Sequence, residues 1–260
     1  MGRFFIHLAY HGGEYCGWQR QQGVMTVQEC LETGLSTLLR RPIAVLGCGR
    51  TDTGVHASDF YAHFDYDIED FSDSFCDELT FKLNSFLPWS IRIYAIFRVR
   101  SKAHARFDAL ARTYEYHVSN QRLPFRKGQY CRLYFTPDID RMNMGARVLM
   151  EYDDFTSFAK LHTDVKTNIC HLSEAAWRQE GEEWVFRITS NRFLRNMVRS
   201  VTGTLLEIGR GKLDIDGLRS IVEQKNRCAA GVSMPAEGLF LTKVEYDWGS
   251  VCGEEVMDPE

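Results

Sequence analysis

Phe4, Ile6, Leu8 and Tyr10 put a bulky apolar side chain at every second position, and Val27, Leu31, Leu35 and Leu38 then recur at helical spacing. A period of two followed by a period near 3.6 means a strand and then an amphipathic helix. Thr26, with Glu29 three residues later, forms a capping box that opens this helix. Further along, Ile43–Leu46 and Phe60–Phe64 read as two buried strands, Phe75–Phe86 as a second helix closed before Pro88, and Ile91–Phe97 as another strand. The order β-α-β-β-α-β is a ferredoxin-like unit, which buries one face of its sheet under its helices.

A second run follows a linker near Ser101–Arg106. It comprises a strand at Tyr114–Val118, a helix at Ile139–Met150, a hairpin around Gln179 to Glu182, helices at Phe193–Ile208 and Asp214–Lys225, and a closing strand at Leu239–Tyr246. At 260 residues and 44% hydrophobic content the chain has enough apolar material for two cores. We expect an α+β protein with one unit over 1–102, a second over 103–250 and an acidic tail over 251–260. If the antiparallel sheets of two such open-faced halves join edge to edge, a central cleft is left for a ligand.

The eight cysteines include no C-x-x-C pair, which argues against structural zinc and for thiols kept reduced in the cytoplasm. The segment at Met1–Ile6 lacks the apolar core of a signal peptide, and no apolar run approaches the roughly 18 residues of a membrane span. The net charge of −4 conceals a bipolar distribution. Acid gathers at Asp65, Asp67, Glu69, Asp70, Asp73, Asp77 and Glu78 and again from Glu245 to the end. The cations from Arg92 to Arg132 are opposed only by Asp108 and Glu115, and Arg192, Arg195, Arg199, Arg210 and Lys212 form a second cluster. Such a chain can focus an anion despite its net sign.

Between two of the expected strands lies Gly49-Arg50-Thr51-Asp52-Thr53-Gly54-Val55-His56-Ala57. Arg50 and Asp52 are two apart, so an extended backbone points them the same way, and a cation beside a carboxylate favours its charged form. An Asp beside glycine also commonly bonds its own turn. A Walker loop is excluded because Val55-His56 stands where Lys and Ser or Thr are needed. A dinucleotide fingerprint is excluded because Asp52 occupies the third glycine position. His56, Asp59, His63 and Asp65 have no second cluster to complete a metal site.

This nonapeptide resembles the signature of the tRNA pseudouridine synthase A family. Similar blocks recur in order at Tyr15–Gln21, Val27-Gln28-Glu29, His104-Ala105-Arg106-Phe107, Arg112–Tyr116, Asp154–Phe158, Met197-Val198-Arg199 and Glu237-Gly238-Leu239, nearly spanning the chain. The resemblance implies two pseudo-symmetric domains with RRM- or ferredoxin-like folds, a homodimer, and isomerisation of uridine in the anticodon stem-loop of tRNA, at tRNA positions 38–40. It implies Asp52 as the essential aspartate, acting as nucleophile on the sugar or as base at C2′. Arg199 would pair with Asp52 and fix its orientation, Tyr114 would stack on the flipped base with Tyr116 as its packing neighbour, and Leu239 would form an apolar floor. Arg50 would touch the RNA backbone or assist flipping.

Arg192, Arg195 and Arg199 are expected on one face of the Phe193–Ile208 helix, opposite a stripe of Leu194, Val198, Val201, Leu205 and Ile208. Trp18, Arg20, Arg106, Arg126 and Lys127 are candidates for RNA contact by residue type. The reaction only rearranges bonds within the nucleotide and exchanges a proton, so it requires neither metal nor redox cofactor. Two departures from the family pattern, His11 after the first strand and Glu115 where a basic residue is common, bear on local RNA contacts. A related isomerase acting on other uridines and a non-catalytic tRNA-binding or chaperone module are the alternatives.

Overall fold

The computed structural model describes residues 2–67, 72–160 and 166–253. The chain forms two compact units, Met1–Leu110 with Leu241–Glu260, and Ala111–Phe240.

In the first unit, β1 (Gly2–Tyr10) is the central strand, antiparallel to both β3 (His56–Tyr66) and β4 (Ile91–Val99). Its alternation decides the packing. Phe4, Ile6 and Leu8 sit opposite Phe64, Ala62 and Phe60, all fully or almost fully buried. This face lies under the helices: the Phe4 ring is 5.4 Å from that of Phe64 and 6.0 Å from that of Phe75 on α2 (Asp73–Phe86). Helix α1 (Val27–Leu39) begins as the capping box requires, with Thr26 Oγ1 accepting from the Glu29 amide at 3.3 Å.

The expected strand at Ile43–Leu46 shortens to β2 (Leu46–Gly47), paired to β3. Ile43 and Val45 are buried, but side chains of α1 satisfy their backbone. The Ile43 amide donates to Ser36 Oγ at 2.9 Å and the Val45 amide to Glu32 Oε1 at 3.1 Å, while Gln28 Nε2 donates to the Val45 carbonyl at 2.9 Å. Backbone groups already bonded in this way need no ladder.

In the second unit β5 (Ala109–Ser119), whose first residues still belong to the first unit, pairs with β8 (Glu183–Ser190), and β8 with β7 (Leu172–Glu180), all antiparallel. β6 (Cys131–Arg132) adds a short parallel pairing to β5. Tyr116, Phe186 and Trp177 lie in register across the three strands and are buried. α3 (Ile139–Leu149) is locked onto this sheet by Asn143, whose amide both donates to and accepts from the Trp177 backbone, at 3.0 and 2.8 Å. α4 (Met197–Gly209) and α5 (Ile215–Glu223, capped by Asp214) complete the unit.

Three expectations change. The helix expected from Phe193 starts only at Met197, because Asn196 adopts a left-handed conformation (φ 66°) that ends the preceding turn. Arg192 and Arg195 therefore lie ahead of α4, and no arginine row forms on its face. β9 (Leu239–Tyr246) carries the chain out of the second unit and, from Leu241, back into the first, instead of closing a unit over 103–250. Its place beside β3 is held by the Val244 amide, which donates to Asp59 Oδ2 at 2.6 Å, and by the Tyr246 hydroxyl, which donates to the Ala105 carbonyl. α6 (Trp248–Cys252) follows, and the rest of the expected acidic tail, with Glu69 and Asp70 of the first acidic cluster, lies outside the described residues. Among the described residues no helix is long and apolar enough to cross a membrane.

Candidate active site

Asp52 lies in the connection between β2 and β3, half-buried, with Thr51 buried before it and Val55 buried after it. Its backbone is pinned from three directions. Thr51 Oγ1 shares a hydrogen bond of 2.9 Å with the buried Tyr10 hydroxyl at the end of β1. The Thr51 carbonyl accepts from the Trp18 amide at 3.2 Å, and the Val55 amide donates back to the Asp52 carbonyl at 3.1 Å. Finally Gly54, at φ 81°, donates to the Tyr15 carbonyl at 3.3 Å.

The Gly12–Trp18 segment lies so close beneath this loop that glycine is needed. A Cβ on Gly17, whose φ is 84°, would stand 2.5 Å from the Thr51 oxygen and 3.1 Å from the Asp52 carbonyl carbon. A Cβ on Gly12 would stand 1.9 Å from the Val55 oxygen. The His11 departure falls here as well: its ring packs 4.4 Å from that of His56, whose Nδ1 accepts from the Gly12 amide at 3.0 Å. His56 thus has a structural task, holding the loop's far end to the segment beneath it.

Trp18, an RNA-contact candidate by type, is 1% exposed. Its ring lies 4.2 Å from that of Phe60 and faces Gly47, where a Cβ would stand 2.6 Å from the indole. It is a floor under the loop and cannot reach an external ligand. Arg20 is tied to α1 by ion pairs to Glu32 at 3.0 Å and Glu29 at 3.5 Å. Arg50 is exposed. Arg106 is exposed beside Phe107, its guanidinium 5.7 Å from the ring centre, on a turn fixed by His63 Nδ1 accepting from the Ala105 amide at 3.2 Å.

The remaining candidates lie in the second unit. Tyr114, half-buried on β5, meets Phe193 edge-on at 5.1 Å, so the segment before α4 sets the ring's orientation. Arg199 sits in the first turn of α4 and donates through Nε to the Met234 carbonyl at 2.6 Å. Tyr116, two residues along β5 from Tyr114, is fully buried, and its hydroxyl donates to the Pro235 carbonyl at 2.6 Å. Burial pushes the Tyr116 phenol well above its ordinary range, with the Arg199 charge opposing, so the hydroxyl remains a donor. Arg199 and Tyr116 therefore hold one strap, Met234-Pro235, that leads into Glu237-Gly238-Leu239. Gly238 lies against the Tyr116 ring, where a Cβ would be 2.9 Å from Cζ, and Leu239 follows, buried, at the start of β9.

Arg126 is committed to Glu183, with an ion pair of 3.0 Å, whereas Lys127 beside it is exposed. Arg192 is half-buried and Arg195 exposed. Glu115 points away from the Tyr114 face of β5 and accepts from Arg178 at 2.9 Å and Arg187 at 3.0 Å, which hold its carboxyl below the usual range against the opposing effect of burial.

Residues 152–247 match the family model described as tRNA pseudouridine synthase. A protein of Bacteroides thetaiotaomicron named tRNA pseudouridine synthase A is 55% identical over 95% of this chain and 91% of its own length. One of the same name from Bacteroides fragilis is 53% identical over 94% and 96%, and one from Exiguobacterium sibiricum is 35% identical over 95% and 97%. The chain belongs to the tRNA pseudouridine synthase A family.

In this pseudouridine synthase each unit has a glycine in close approach near a candidate residue. In the first, Gly17 lies against the Thr51–Thr53 backbone that carries Asp52, and in the second Gly238 lies against the His117 carbonyl and the ring of Tyr116, the buried neighbour of Tyr114, each too close for any side chain. Tyr10, Tyr15 and the Met234-Pro235 strap are the supporting residues that sequence reasoning missed. The one available signal was the set of glycines at 12, 17, 47 and 238, and glycine alone does not reveal what it approaches.

Proposed function

We propose that this chain isomerises uridine to pseudouridine in the anticodon stem-loop of tRNA, at positions 38–40, with Asp52, Tyr114 and Arg199 as its catalytic set. The observation that carries the reading is the Asp52 loop: a half-buried carboxylate whose backbone is fixed at Thr51, Asp52 and Gly54, in a chain whose relatives bear the name tRNA pseudouridine synthase A. In this reading the two α+β units are related halves, and Asp52, Tyr114, Arg199 and Leu239 act on one nucleotide. The enzyme works as a cytoplasmic homodimer and without a cofactor.

The reaction breaks the bond from ribose C1′ to N1, turns the uracil, and joins C5 to C1′, with loss of the C5 proton. Asp52 acts as base: it takes the C2′ proton as the C1′–N1 bond breaks, leaving a C1′=C2′ double bond and a uracil anion. When C5 bonds to C1′ the proton returns to C2′, and the hydrogen on C5 leaves to restore the aromatic ring. A positioned carboxylate held by Arg199 supplies the proton transfer, and the Tyr114 ring replaces the stacking lost when the nucleotide leaves its helix. Rigid backbone under the carboxylate matters because misplacement by about 1 Å costs on the order of a hundredfold in rate.

The test is tritium release from tRNA labelled at uridine C5. Wild type should release label while Asp52→Asn binds the same tRNA without release. Binding without release by both proteins refutes the reading in favour of a tRNA-binding module. Release from uridines outside positions 38–40, located by mapping the product, refutes the site assignment and leaves the chemistry.

A further inference from the structure

Between β5 and α3 the chain runs from Asn120 to Pro137 without a single Asp or Glu, while carrying Arg122, Arg126, Lys127 and Arg132 interleaved with Phe125, Tyr130, Tyr134 and Phe135. The segment is ordered by its own hydrogen bonds. The Tyr130 hydroxyl accepts from the Leu123 amide at 2.9 Å and donates to the Gln121 carbonyl at 3.2 Å. A short 3₁₀ turn at Pro124–Arg126 is closed by the Arg126 amide donating to Leu123, and the Gln129 amide in turn donates to Arg126. Asn120 Nδ2 donates to Thr136 Oγ1 at 3.1 Å, and the Leu133 amide to the Ser119 carbonyl at 2.8 Å. Arg126 fastens the turn to β8 through Glu183, which also meets His117 at 3.0 Å.

This ordered turn nevertheless leaves two rings in water. Phe125 is 98% exposed and Tyr134 87% exposed, with the Arg132 guanidinium 5.3 Å over the Tyr134 ring. Arg122 and Lys127 are exposed beside them. Folding gains nothing from aromatic rings held this way, and burial is what such rings ordinarily supply. Aromatic faces spaced among cations, with no carboxylate between them, are the chemistry that stacks on unpaired bases and neutralises phosphates. Arg126, being spent on Glu183, is the anchor of the surface and not one of its contacts.

We propose that Arg122, Phe125, Lys127, Arg132 and Tyr134 form a second RNA-contact surface, which holds tRNA outside the nucleotide being isomerised, the cations on phosphates and the two rings on unpaired bases. The proposal rests on the isomerase reading for its choice of RNA. Its consequence is a division of labour: this surface sets affinity, and the Asp52 loop sets the rate of the bound complex.

The experiment measures binding of an unmodified tRNA transcript across a salt series, together with single-turnover tritium release at limiting and saturating protein. The variants are Phe125→Ala with Tyr134→Ala, and Arg122→Gln, Lys127→Gln and Arg132→Gln combined. Each ring deletion should raise Kd by a factor of about five, the low end of what base stacking supplies. The triple variant should reduce the slope of log Kd against log salt by about two, at roughly 0.7 per phosphate contact. Release at saturating protein should stay within about twofold of wild type. Wild-type Kd and salt slope in both variants overturn the proposal, and so does a lower saturating rate at unchanged Kd. A smaller sedimenting species with unchanged Kd also overturns it and assigns the rings to contact between copies of the chain. Because the readout is binding, wild type failing to release tritium while the variants lose affinity would refute the isomerase reading and leave this surface standing.

Discussion

Replacing Gly17 with Ala should damage catalysis by pressing directly on the backbone that carries Asp52. The new Cβ would lie 2.5 Å from the Thr51 oxygen, about 0.9 Å inside the 3.4 Å at which ordinary contact begins, with the Asp52 carbonyl carbon and Thr53 nitrogen at 3.1 and 3.2 Å. All three are backbone atoms, so no side chain can swing away. The left-handed conformation at φ 84° costs an alanine about 1–2 kcal/mol, and the overlap adds about 1–3 kcal/mol. The chain relieves this either by losing stability, roughly 2–4 °C of Tm for each kcal/mol, or by shifting the Asp52 backbone and losing rate. Gly23→Ala is the matched control, because its φ of 76° carries the same conformational cost and nothing lies within 4 Å of the added carbon. Thermal unfolding and single-turnover tritium release on both variants separate the two contributions. Gly23→Ala should lose about 1–2 kcal/mol and keep its activity, whereas Gly17→Ala should lose further stability or fall at least tenfold in rate. Equal behaviour of the two variants in both assays refutes the close-approach argument.

Other expectations follow from the supporting contacts. Burial, with His104 and Arg3 nearby outweighing Asp65 and Asp108, depresses His63 from 6.5 to about 4, so it folds neutral. A depressed histidine contributes stability that is complete above pH 6.5 and lost as pH falls toward 4, about 3 kcal/mol in all. His63→Asn keeps an acceptor for the Ala105 amide and should flatten that limb in urea titrations between pH 7 and pH 4. Glu115→Lys should cost about 3 kcal/mol in chemical denaturation, because it sets a third cation between Arg178 and Arg187 in a half-buried site; a cost below 1 kcal/mol refutes the network's importance. Gly238→Ala should displace Tyr116 or Leu239 and lower release from bound tRNA, with far-UV circular dichroism unchanged, since its Cβ meets Tyr116 Cζ at 2.9 Å. An unaltered rate there means the Met234–Leu239 strap does not position the site.

Local chemistry was legible in the sequence and long-range closeness was not. Thr26 caps α1 as its spacing to Glu29 announces, and β1 and β3 follow from alternation that nothing opposes. Ile43 and Val45 misled because side chains of α1, Ser36 for Ile43 and Gln28 and Glu32 for Val45, supply the bonds a neighbouring strand would have made. Asn196 ended a helix that periodicity extended to Phe193, a decision taken by one residue's left-handed backbone and invisible to a hydrophobic stripe. Asp52 stood out through its motif, yet the glycines that position it gain their meaning from segments some 40 residues apart. Residue type promised Trp18 to the RNA, and burial assigned it to the floor of the loop.

The return of β9 to the first unit has a consequence for synthesis. Between Leu110 and Tyr246 the ribosome adds 136 residues, which takes about 7–27 s at roughly 5–20 residues per second. Throughout that interval Asp59 lacks the Val244 amide, the Ala105 carbonyl lacks the Tyr246 hydroxyl, and most of the outer edge of β3 has no strand beside it. Such an open edge invites pairing with other nascent chains. The first part of the protein to be made is thus among the last to be finished, and a message truncated before the codon for Leu241 leaves the unit that carries Asp52 without its final strand.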